Sequence, residues 1–226
     1  MVEIRFELDE QASWHRALGD QHRLAMVAVL ELTDATPTEL AERLRLASNL
    51  VAFHLDVLEE AGLITRHRSQ GDGRRRYVTL GPTARMARPV NMAAWVPPLT
   101  ARRVVFVCTH NSARSQLASA TWTARTGRQS WSAGSQPADR VNPAAVAIAA
   151  DHGLDLSAAR PCGYDQVDVD PDLVVSVCDR VREDGPPFDA PLLHWSVPDP
   201  TRPADFPHVW QDVDRRVARL AQRVAA

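Results

Sequence analysis

A cysteine, an arginine and a serine follow one another at a spacing that suits oxyanion chemistry. Five residues separate Cys108 from Arg114, and Ser115 comes directly afterwards. A thiolate is a strong nucleophile, and the planar guanidinium group of an arginine can bind two oxygens of an oxyanion at once. These residue types predict nucleophilic displacement on a tetrahedral oxyanion, with Cys108 attacking and Arg114 holding the oxygens.

The flanking residues predict a strand, a loop and a helix that would position this chemistry. Val104 to Val107 are typical of a short buried strand, and a helical pattern runs from Leu117 to Arg125. Loop N–H groups and the positive end of the helix dipole can together hold an anion, and they favour the thiolate form of Cys108. A buried structural cysteine beside a surface arginine is the alternative, but it gives no reason for polar residues after a core strand. The predicted oxyanion loop comprises Thr109, His110, Asn111, Ser112 and Ala113.

Residues 102 to 225 resemble the low-molecular-weight phosphatase superfamily and, within it, the arsenate reductases. The resemblance implies an α/β domain of three layers with a four-stranded parallel sheet. Alternating strands and helices agree with this fold, in which sites lie at the carboxyl ends of the strands. The segments that carry the resemblance are Cys108 to Gln116, Ser132 to Gly134, Val141 to Pro143, Val175 to Asp179, His194-Trp195 and Asp199-Pro200.

The same resemblance assigns roles to five residues. Cys108 would be the nucleophile, Arg114 the oxyanion clamp and Asp199 the general acid for the leaving oxygen. Asn111 would fix the conformation of the loop, and Ser115 would donate a hydrogen bond to the thiolate. An exposed aspartate in a turn before proline is the alternative interpretation of Asp199.

Several positions favour a reductase over a tyrosine phosphatase. Phosphatases of this superfamily usually carry a proline after the Arg-Ser pair and a tyrosine beyond the Asp-Pro pair, whereas this chain has Gln116 and Thr201. A reductase needs a second thiol to release arsenite, and Cys178 matches the first resolving cysteine of the thioredoxin-coupled members. Their second resolving cysteine would fall near Gly185, where this chain has none.

Two routes of reduction therefore remain open. Cys108 and Cys178 could complete a shorter relay reduced by thioredoxin, with or without help from Cys162. Alternatively, a small thiol such as mycothiol, recycled by mycoredoxin, could attack the arsenic adduct. Cys162, which follows Arg160-Pro161, is interpreted as a bystander. In both routes the reductant is a co-substrate, and no bound cofactor or metal is expected.

The first ninety residues predict short helices followed by a hairpin. The segment from Thr36 to Glu39 is a capping box with proline at the first helical position, and its helix extends to Leu44. Ser48 is predicted to cap a second helix, with Leu50, Phe53, Val57, Leu58 and Ala61 on one apolar side. Residues 63–68 and 74–80 then form two strands around Gln70–Gly73, which completes a mainly α winged helix-turn-helix domain.

Residues 47–63 resemble the arsenic-responsive repressor (ArsR) family, whose members are dimers that bind palindromic operators in double-stranded DNA. Metal-sensing members use thiolates, and because this half of the chain has no cysteine, a soft-metal thiolate site is excluded there. A solvated strand face is the alternative interpretation of the wing arginines. The resemblance implies DNA contacts from Ser48, Asn49 and His54 in the groove and from Arg74, Arg75 and Arg76 on the wing.

Length and composition fit two small domains in one chain. The sequence has 226 residues, 45% of them hydrophobic, and a net charge of −2 that by itself indicates no nucleic-acid partner. Its three cysteines all follow residue 107, which is typical of redox or nucleophilic work in a reducing compartment. The sequence contains no run of about twenty apolar residues, so no membrane span is expected. We expect a cytoplasmic protein with domains at 1–96 and 97–226, separated at Pro97-Pro98, and a packed helix around Met86 to Trp95.

Three functions agree with these observations. The first is an arsenate reductase fused to a DNA-binding repressor module. The second is a transcription regulator whose phosphatase-like domain only senses an oxyanion or the thiol state. The third is a protein tyrosine phosphatase, which Gln116 and Thr201 disfavour. The first two are compatible with each other.

Overall fold

The computed structural model describes residues 2–81 and 99–225, which form two compact units. One unit is helical with a β-hairpin, and the other is built on a parallel sheet. The domain boundary at 96/97, the Pro97-Pro98 joint and the helix predicted around Met86 to Trp95 lie outside the described residues and stay predictions.

The helical unit contains the predicted helix-turn-helix and hairpin. A longer first helix, α1, precedes them and was not predicted. The hairpin strands pair antiparallel with Ile64 opposite Leu80 and Arg68 opposite Arg76. The elements are α1 (Val2–Leu18), α2 (Gln21–Leu30), α3 (Pro37–Leu44), α4 (Ser48–Glu60), β1 (Ile64–Arg68) and β2 (Arg76–Leu80).

The capping box that opens α3 is confirmed. The backbone N–H of Glu39 donates to the Thr36 hydroxyl at 3.2 Å, and the Glu39 carboxylate accepts from the Thr36 backbone N–H at 2.7 Å. Pro37 occupies the first helical position, where its missing N–H costs nothing. These contacts satisfy the first turn and place the start of α3 where the sequence predicted it.

The predicted cap of α4 is wrong, and so are two of the five residues predicted on its apolar side. Ala47 occupies the N-cap position and Ser48 is already the first helical residue, without a side-chain capping bond. Leu50 and Phe53 are 37% and 58% exposed. Leu58 is buried as predicted, and Val57 and Ala61 pack against the core. Val51 and Leu55 complete the buried face, since a spacing of four and three places them on the same side as Leu58.

The second unit is organised around a four-stranded parallel sheet, as predicted. Its strand order is β5-β4-β6-β7, so β4 lies in the middle of the sheet. Cys108, the last residue of β4, is opposite Gly134 at the end of β5. The sheet strands are β4 (Val104–Cys108), β5 (Ser130–Gly134), β6 (Leu173–Ser176) and β7 (Leu192–His194).

Four helices accompany this sheet in the described part of the chain. Asn142 caps α6, because its side-chain oxygen accepts from the Ala144 amide at 2.9 Å. The apolar face of α8 is buried at Val209, Val213, Val217 and Leu220. The helices are α5 (Arg114–Thr126), α6 (Pro143–Asp151), α7 (Asp179–Asp184) and α8 (Phe206–Ala221).

A small second sheet was not predicted. Strand β3 (Leu99–Thr100) pairs in parallel with β8 (Val224–Ala225), and Leu99 is opposite Val224. This pairing explains why α8 ends at Ala221 although the apolar pattern continues to Val224. Two-residue strands have too few residues to show an alternating pattern.

Candidate active site

The carboxyl end of β4 brings the predicted nucleophile, Cys108, next to a hydroxyl. Cys108 is 2% exposed, and its Sγ lies 3.0 Å from Oγ of Ser115 in the first turn of α5. A hydroxyl at this distance can donate a hydrogen bond to a thiolate and stabilise its charge. The predicted neighbours Cys108 and Ser115 are therefore in contact.

Asn111 holds the loop between Cys108 and α5. It is fully buried and has a φ of 47°, a left-handed conformation that asparagine tolerates better than most residues. Its side-chain nitrogen donates to Oγ of Ser115 at 2.8 Å and to Oγ of Ser132 at 2.9 Å. Its side-chain oxygen accepts from the Cys162 amide at 2.9 Å and from Gln116 Nε2 at 3.1 Å. Four bonds thus fix the side chain and, through it, the loop.

The loop carbonyls bond to the segment that follows β5. The carbonyl oxygens of Thr109, His110 and Ser112 accept from amides of residues 136, 138 and 142 at 2.8, 3.0 and 2.8 Å. The amides of residues 110–113 donate to no carbonyl of the described chain. Carbonyls anchored in this way leave loop amides available to a bound anion. Thr109 and Ala113 are buried, Ser112 is half-buried and His110 is exposed.

Gly134 allows this close approach of two segments. A Cβ atom there would lie 2.6 Å from the Thr109 carbonyl oxygen and 2.9 Å from the Asn111 nitrogen. Both contacts are with backbone atoms, which cannot move aside without displacing the loop. The glycine of the Ser132-Ala133-Gly134 segment is therefore a steric requirement of the oxyanion loop.

Arg114 and Asp199 meet at the same edge of the sheet. The guanidinium nitrogen Nη2 of Arg114 lies 2.7 Å from Oδ1 of Asp199, and Nη1 donates to the Val197 carbonyl oxygen at 3.0 Å. Arg114 is buried, whereas Asp199 is exposed. The fold thus brings together the two charged groups that the sequence predicted, although they lie far apart in the chain.

A second thiol lies at the end of the adjacent strand. The Val177 amide donates to the Val107 carbonyl oxygen at 2.8 Å, so the segments leading to Cys178 and Cys108 run side by side. Oγ1 of Thr109 lies 3.5 Å from Sγ of Cys178, which is 3% exposed. Burial, followed by the nearby Cys108, raises the pKa of the Cys178 thiol. Cys178 is therefore expected to be a neutral thiol at neutral pH.

Cys162 lies at this edge too, although the sequence offered no partner for it. Gly163 bridges Gly134, and Cys162 Sγ donates to the Ser132 carbonyl oxygen at 3.1 Å. Burial, with a smaller contribution from Asp165, raises the pKa of this thiol. All three cysteines are free thiols. The backbone amide of Cys162 bonds to the Asn111 side chain, whereas its thiol bonds to the Ser132 carbonyl oxygen among the described residues.

An ion pair beside Cys178 was missed by sequence reasoning. His194 Nε2 lies 3.2 Å from Oδ1 of Asp179, and both residues are almost fully buried. Burial opposes ionisation of Asp179, but hydrogen bonds from His194 and Ser196 outweigh it and lower the pKa of the carboxyl. On its other side, His194 Nδ1 lies 3.0 Å from Oγ of Ser176. These contacts hold Asp179, the first residue of α7, directly after Cys178. In the sequence, only the position of this aspartate next to a candidate thiol could have pointed to the contact.

Five of the six residues predicted to contact DNA lie on the surface. Ser48 and Asn49 are exposed at the start of α4, and Arg74, Arg75 and Arg76 are exposed on the hairpin. A DNA contact from His54 is wrong. Its side chain is 4% exposed and lies among α2 residues, with Nδ1 3.4 Å from Arg23 Nη1 and 3.8 Å from Asp20 Oδ1.

Burial is also the main reason why the pKa of His54 is lowered, so this histidine is a neutral packing residue. The neighbouring Phe53 takes the exposed position instead. Among the described residues, no group of histidine, cysteine and acidic side chains could hold a metal ion. Within the same part of the chain, every helix is too short or too polar to cross a membrane.

Comparisons with known proteins agree with the two units. The family model of the low molecular weight phosphotyrosine protein phosphatases matches residues 103–226, and that of a helix-turn-helix domain matches residues 18–67. An arsenate reductase of Brevibacillus brevis is 31% identical over 132 residues, which cover 54% of this chain and 95% of that protein.

Two solved structures are similar to the second unit. An arsenate reductase from Archaeoglobus fulgidus is 32% identical, with 53% of this chain and 98% of that chain covered and a TM-score of 0.47. A thioredoxin-dependent arsenate reductase from Corynebacterium glutamicum is 25% identical, with 57% and 64% covered and a TM-score of 0.44. The chain belongs to the low molecular weight phosphotyrosine protein phosphatase family, with arsenate reductases among its relatives and an ArsR-type helix-turn-helix domain at its N-terminus.

Proposed function

We propose that the second unit reduces arsenate to arsenite with Cys108 as nucleophile and Cys178 as resolving thiol. The observation that carries this proposal is the position of the two thiols at the ends of neighbouring strands, with Thr109 in contact with Cys178. A phosphatase needs only the first thiol, whereas a reductase needs a second within reach of the first. The relatives named arsenate reductase support the same choice.

The first step joins sulfur to arsenic. The Cys108 thiolate attacks arsenate and an As–O bond breaks as an S–As bond forms, without any change in oxidation state. Asp199 supplies a proton so that the oxygen leaves as water, and Arg114 holds the remaining oxygens together with the loop amides. The 2.7 Å pairing of Arg114 with Asp199 places the proposed acid directly beside the proposed clamp.

The second step transfers two electrons to arsenic. The Cys178 sulfur attacks Cys108 Sγ, so an S–S bond forms and the S–As bond breaks with its electron pair left on arsenic, while the proton of the Cys178 thiol passes to an oxygen of the departing arsenite. Arsenic(V) becomes arsenic(III) and leaves as arsenite, while two thiols become one disulfide. An external thiol, either thioredoxin or a small thiol such as mycothiol, then supplies two electrons to reopen the disulfide.

Gln116 also favours a reductase. Its Nε2 lies 3.1 Å from both the Asn111 carbonyl oxygen and the Asn111 side-chain oxygen, and 3.2 Å from the Arg160 carbonyl oxygen. A proline at this position would have none of these bonds. Gln116, which replaces the proline typical of phosphatases, therefore helps to hold the predicted oxyanion loop.

Arsenate reduction by the purified protein tests the proposal. The assay supplies thioredoxin with its reductase in one arm, and mycothiol with mycoredoxin in the other, and it measures arsenite. We expect turnover in at least one arm and only weak hydrolysis of an aryl phosphate. Robust aryl phosphate hydrolysis without arsenite in either arm would contradict the reductase and favour a phosphatase.

We propose that the first unit binds an operator in double-stranded DNA as a homodimer. The exposed start of α4, with Ser48 and Asn49, suits the major groove, and the exposed wing arginines suit phosphates. A regulator whose second unit only senses arsenic or oxidation is the second candidate function. The helix-turn-helix domain favours it, and it predicts DNA affinity that changes with arsenate, arsenite or oxidant.

Removing the three wing arginines together is expected to weaken DNA binding by roughly 10- to 100-fold at low salt. Replacing Arg74, Arg75 and Arg76 by alanine removes up to three cations from the wing, so the slope of log Kd against log salt should fall by about one for each phosphate that is no longer bound. Fluorescence anisotropy with DNA from the region upstream of the gene measures both values. The control Arg140→Ala removes an exposed arginine of the second unit and should change neither; an unchanged slope in the triple variant would contradict wing contacts.

A further inference from the structure

A cavity of about 720 Å³ opens at the carboxyl edge of the sheet. Its volume lies within the range of roughly 300–1,000 Å³ that small-molecule sites occupy. Two prolines and the Phe188 ring supply apolar surface. The polar and small residues of the lining include Gly134, Ser135, Tyr164, Asp165 and Gln166.

The cavity adjoins the end of β4, because Gly134 in its lining lies opposite Cys108 in the sheet. The Ser135 amide donates to the Cys108 carbonyl oxygen at 3.3 Å, so one wall is bonded directly to the nucleophilic residue. Tyr164 is hydrogen-bonded to Ser135 and lies within electrostatic range of both Cys178 and Cys108. Burial, followed by the nearness of Cys178, raises the pKa of the Tyr164 phenol well above its usual range. The phenol therefore keeps its proton at neutral pH and is a hydrogen-bond donor on the cavity wall.

The burial of the thiols limits which reductant can reach them. Cys108 and Cys178 are only 2% and 3% exposed. A protein reductant needs a disulfide at the surface, because its own cysteine is attached to a bulky backbone. A small thiol needs only an opening wide enough for one molecule.

We infer that this cavity binds a small-molecule thiol, which reopens the disulfide between Cys108 and Cys178. The inference rests on the proposed reductase function and chooses between its two reductants. Hydroxyl and amide groups and the Asp165 carboxylate fit a neutral or cationic, hydroxyl-rich body, while the face of Phe188 fits its apolar side. An anionic thiol would be repelled by Asp165.

The exchange balances without any further reactant. The bound thiolate attacks one sulfur of the disulfide, so a mixed disulfide forms and the other cysteine leaves as a thiolate. A second thiol molecule attacks the mixed disulfide and releases an oxidised thiol dimer and the second cysteine. Tyr164 acts as a positioning residue that donates a hydrogen bond to the departing thiolate.

A tryptophan at the cavity wall tests the inference. Pro187 is exposed and lines the cavity, so Pro187→Trp should fill it. Asp189→Trp places the same ring two residues along the chain from Pro187, at an exposed position that does not line the cavity. The full chain is first oxidised by stoichiometric arsenate, which also records the arsenite released. The rate of disulfide reduction is then measured with mycothiol, with glutathione at equal thiolate concentration, and with thioredoxin.

We expect Pro187→Trp to slow reduction by mycothiol at least ten-fold, Asp189→Trp to leave it unchanged, and Tyr164→Phe to slow it several-fold without changing arsenite release. Glutathione, which is anionic, should react more slowly than mycothiol. Equal mycothiol rates in both tryptophan variants, or rapid reduction by thioredoxin alone, would overturn the cavity assignment. Failure of the oxidation step to release arsenite would instead overturn the proposed reductase, so the two failures are distinguishable.

Discussion

Replacement of Cys108 by serine is expected to reduce arsenate turnover by a factor on the order of 10⁴ or more. A serine hydroxyl remains protonated at neutral pH and cannot form the sulfur–arsenic bond that the resolving thiol later breaks. The fold should be unchanged, because serine is smaller than cysteine and can still bond to Ser115. Steady-state arsenite production with the reductant that supports the wild-type protein measures the loss.

Cys162→Ser provides the matched control. It is the same substitution at a cysteine of the same sheet edge, and the serine hydroxyl can keep the bond to the Ser132 carbonyl oxygen. We expect its turnover to remain within about two-fold of the wild type, since only the backbone of Cys162 supports Asn111. Turnover that survives in Cys108→Ser, or that disappears equally in Cys162→Ser, would contradict the assignment of the nucleophile.

Replacement of Arg114 by lysine is expected to lower kcat about 10²- to 10³-fold, the range found when one oxyanion donor is removed. Lysine keeps the charge but lacks the planar fork, so it cannot bind two oxygens and contact the Val197 carbonyl oxygen in the same geometry. The loss should fall mainly on kcat, because charge develops on the oxygens as the S–As bond forms.

The conservative change of an exposed arginine serves as its control. Arg140→Lys alters the same functional group outside the site and should leave both kcat and KM unchanged. Thermal unfolding of both variants distinguishes lost chemistry from lost structure. A kcat near the wild-type value in a folded Arg114→Lys protein would show that Arg114 does not clamp the oxyanion.

The sequence was most informative where local pattern and chemistry coincide. A continuous apolar strand that ends in a cysteine, followed by a polar loop and a helix, can hardly pack in another way, so β4 and α5 lie where they were predicted. The contact of Arg114 with Asp199 depends on the order of strands in the sheet. Only the resemblance to a known family made that contact predictable.

The recognition helix shows how an apolar residue can mislead. Leu50 and Phe53 were assigned to the buried side because they are hydrophobic, and His54 to the DNA groove by position from the resemblance. Helical spacing from Val51 and Leu55 reverses both assignments, since His54 falls next to Leu55 on the packed face. Periodicity was the better guide than residue type.

Long-range contacts were beyond the sequence. The phenol of Tyr164 reaches the thiol edge because Gly163 bridges Gly134, an isolated pairing with no periodic signal. The ion pair of Asp179 with His194 similarly joins two strand ends that are adjacent only in the folded sheet. Such groups are found from geometry, after which their chemistry can be inferred from residue type.

The most direct measurement of the central claim is a single turnover without any reductant. The fully reduced protein is mixed with stoichiometric arsenate, and arsenite, free thiols and disulfide-linked peptides are quantified. We expect about one arsenite per chain, the loss of two thiols, and a disulfide that joins Cys108 to Cys178. Arsenite released with Cys178 still free would contradict the resolving role of Cys178, and no arsenite at all would contradict the reductase.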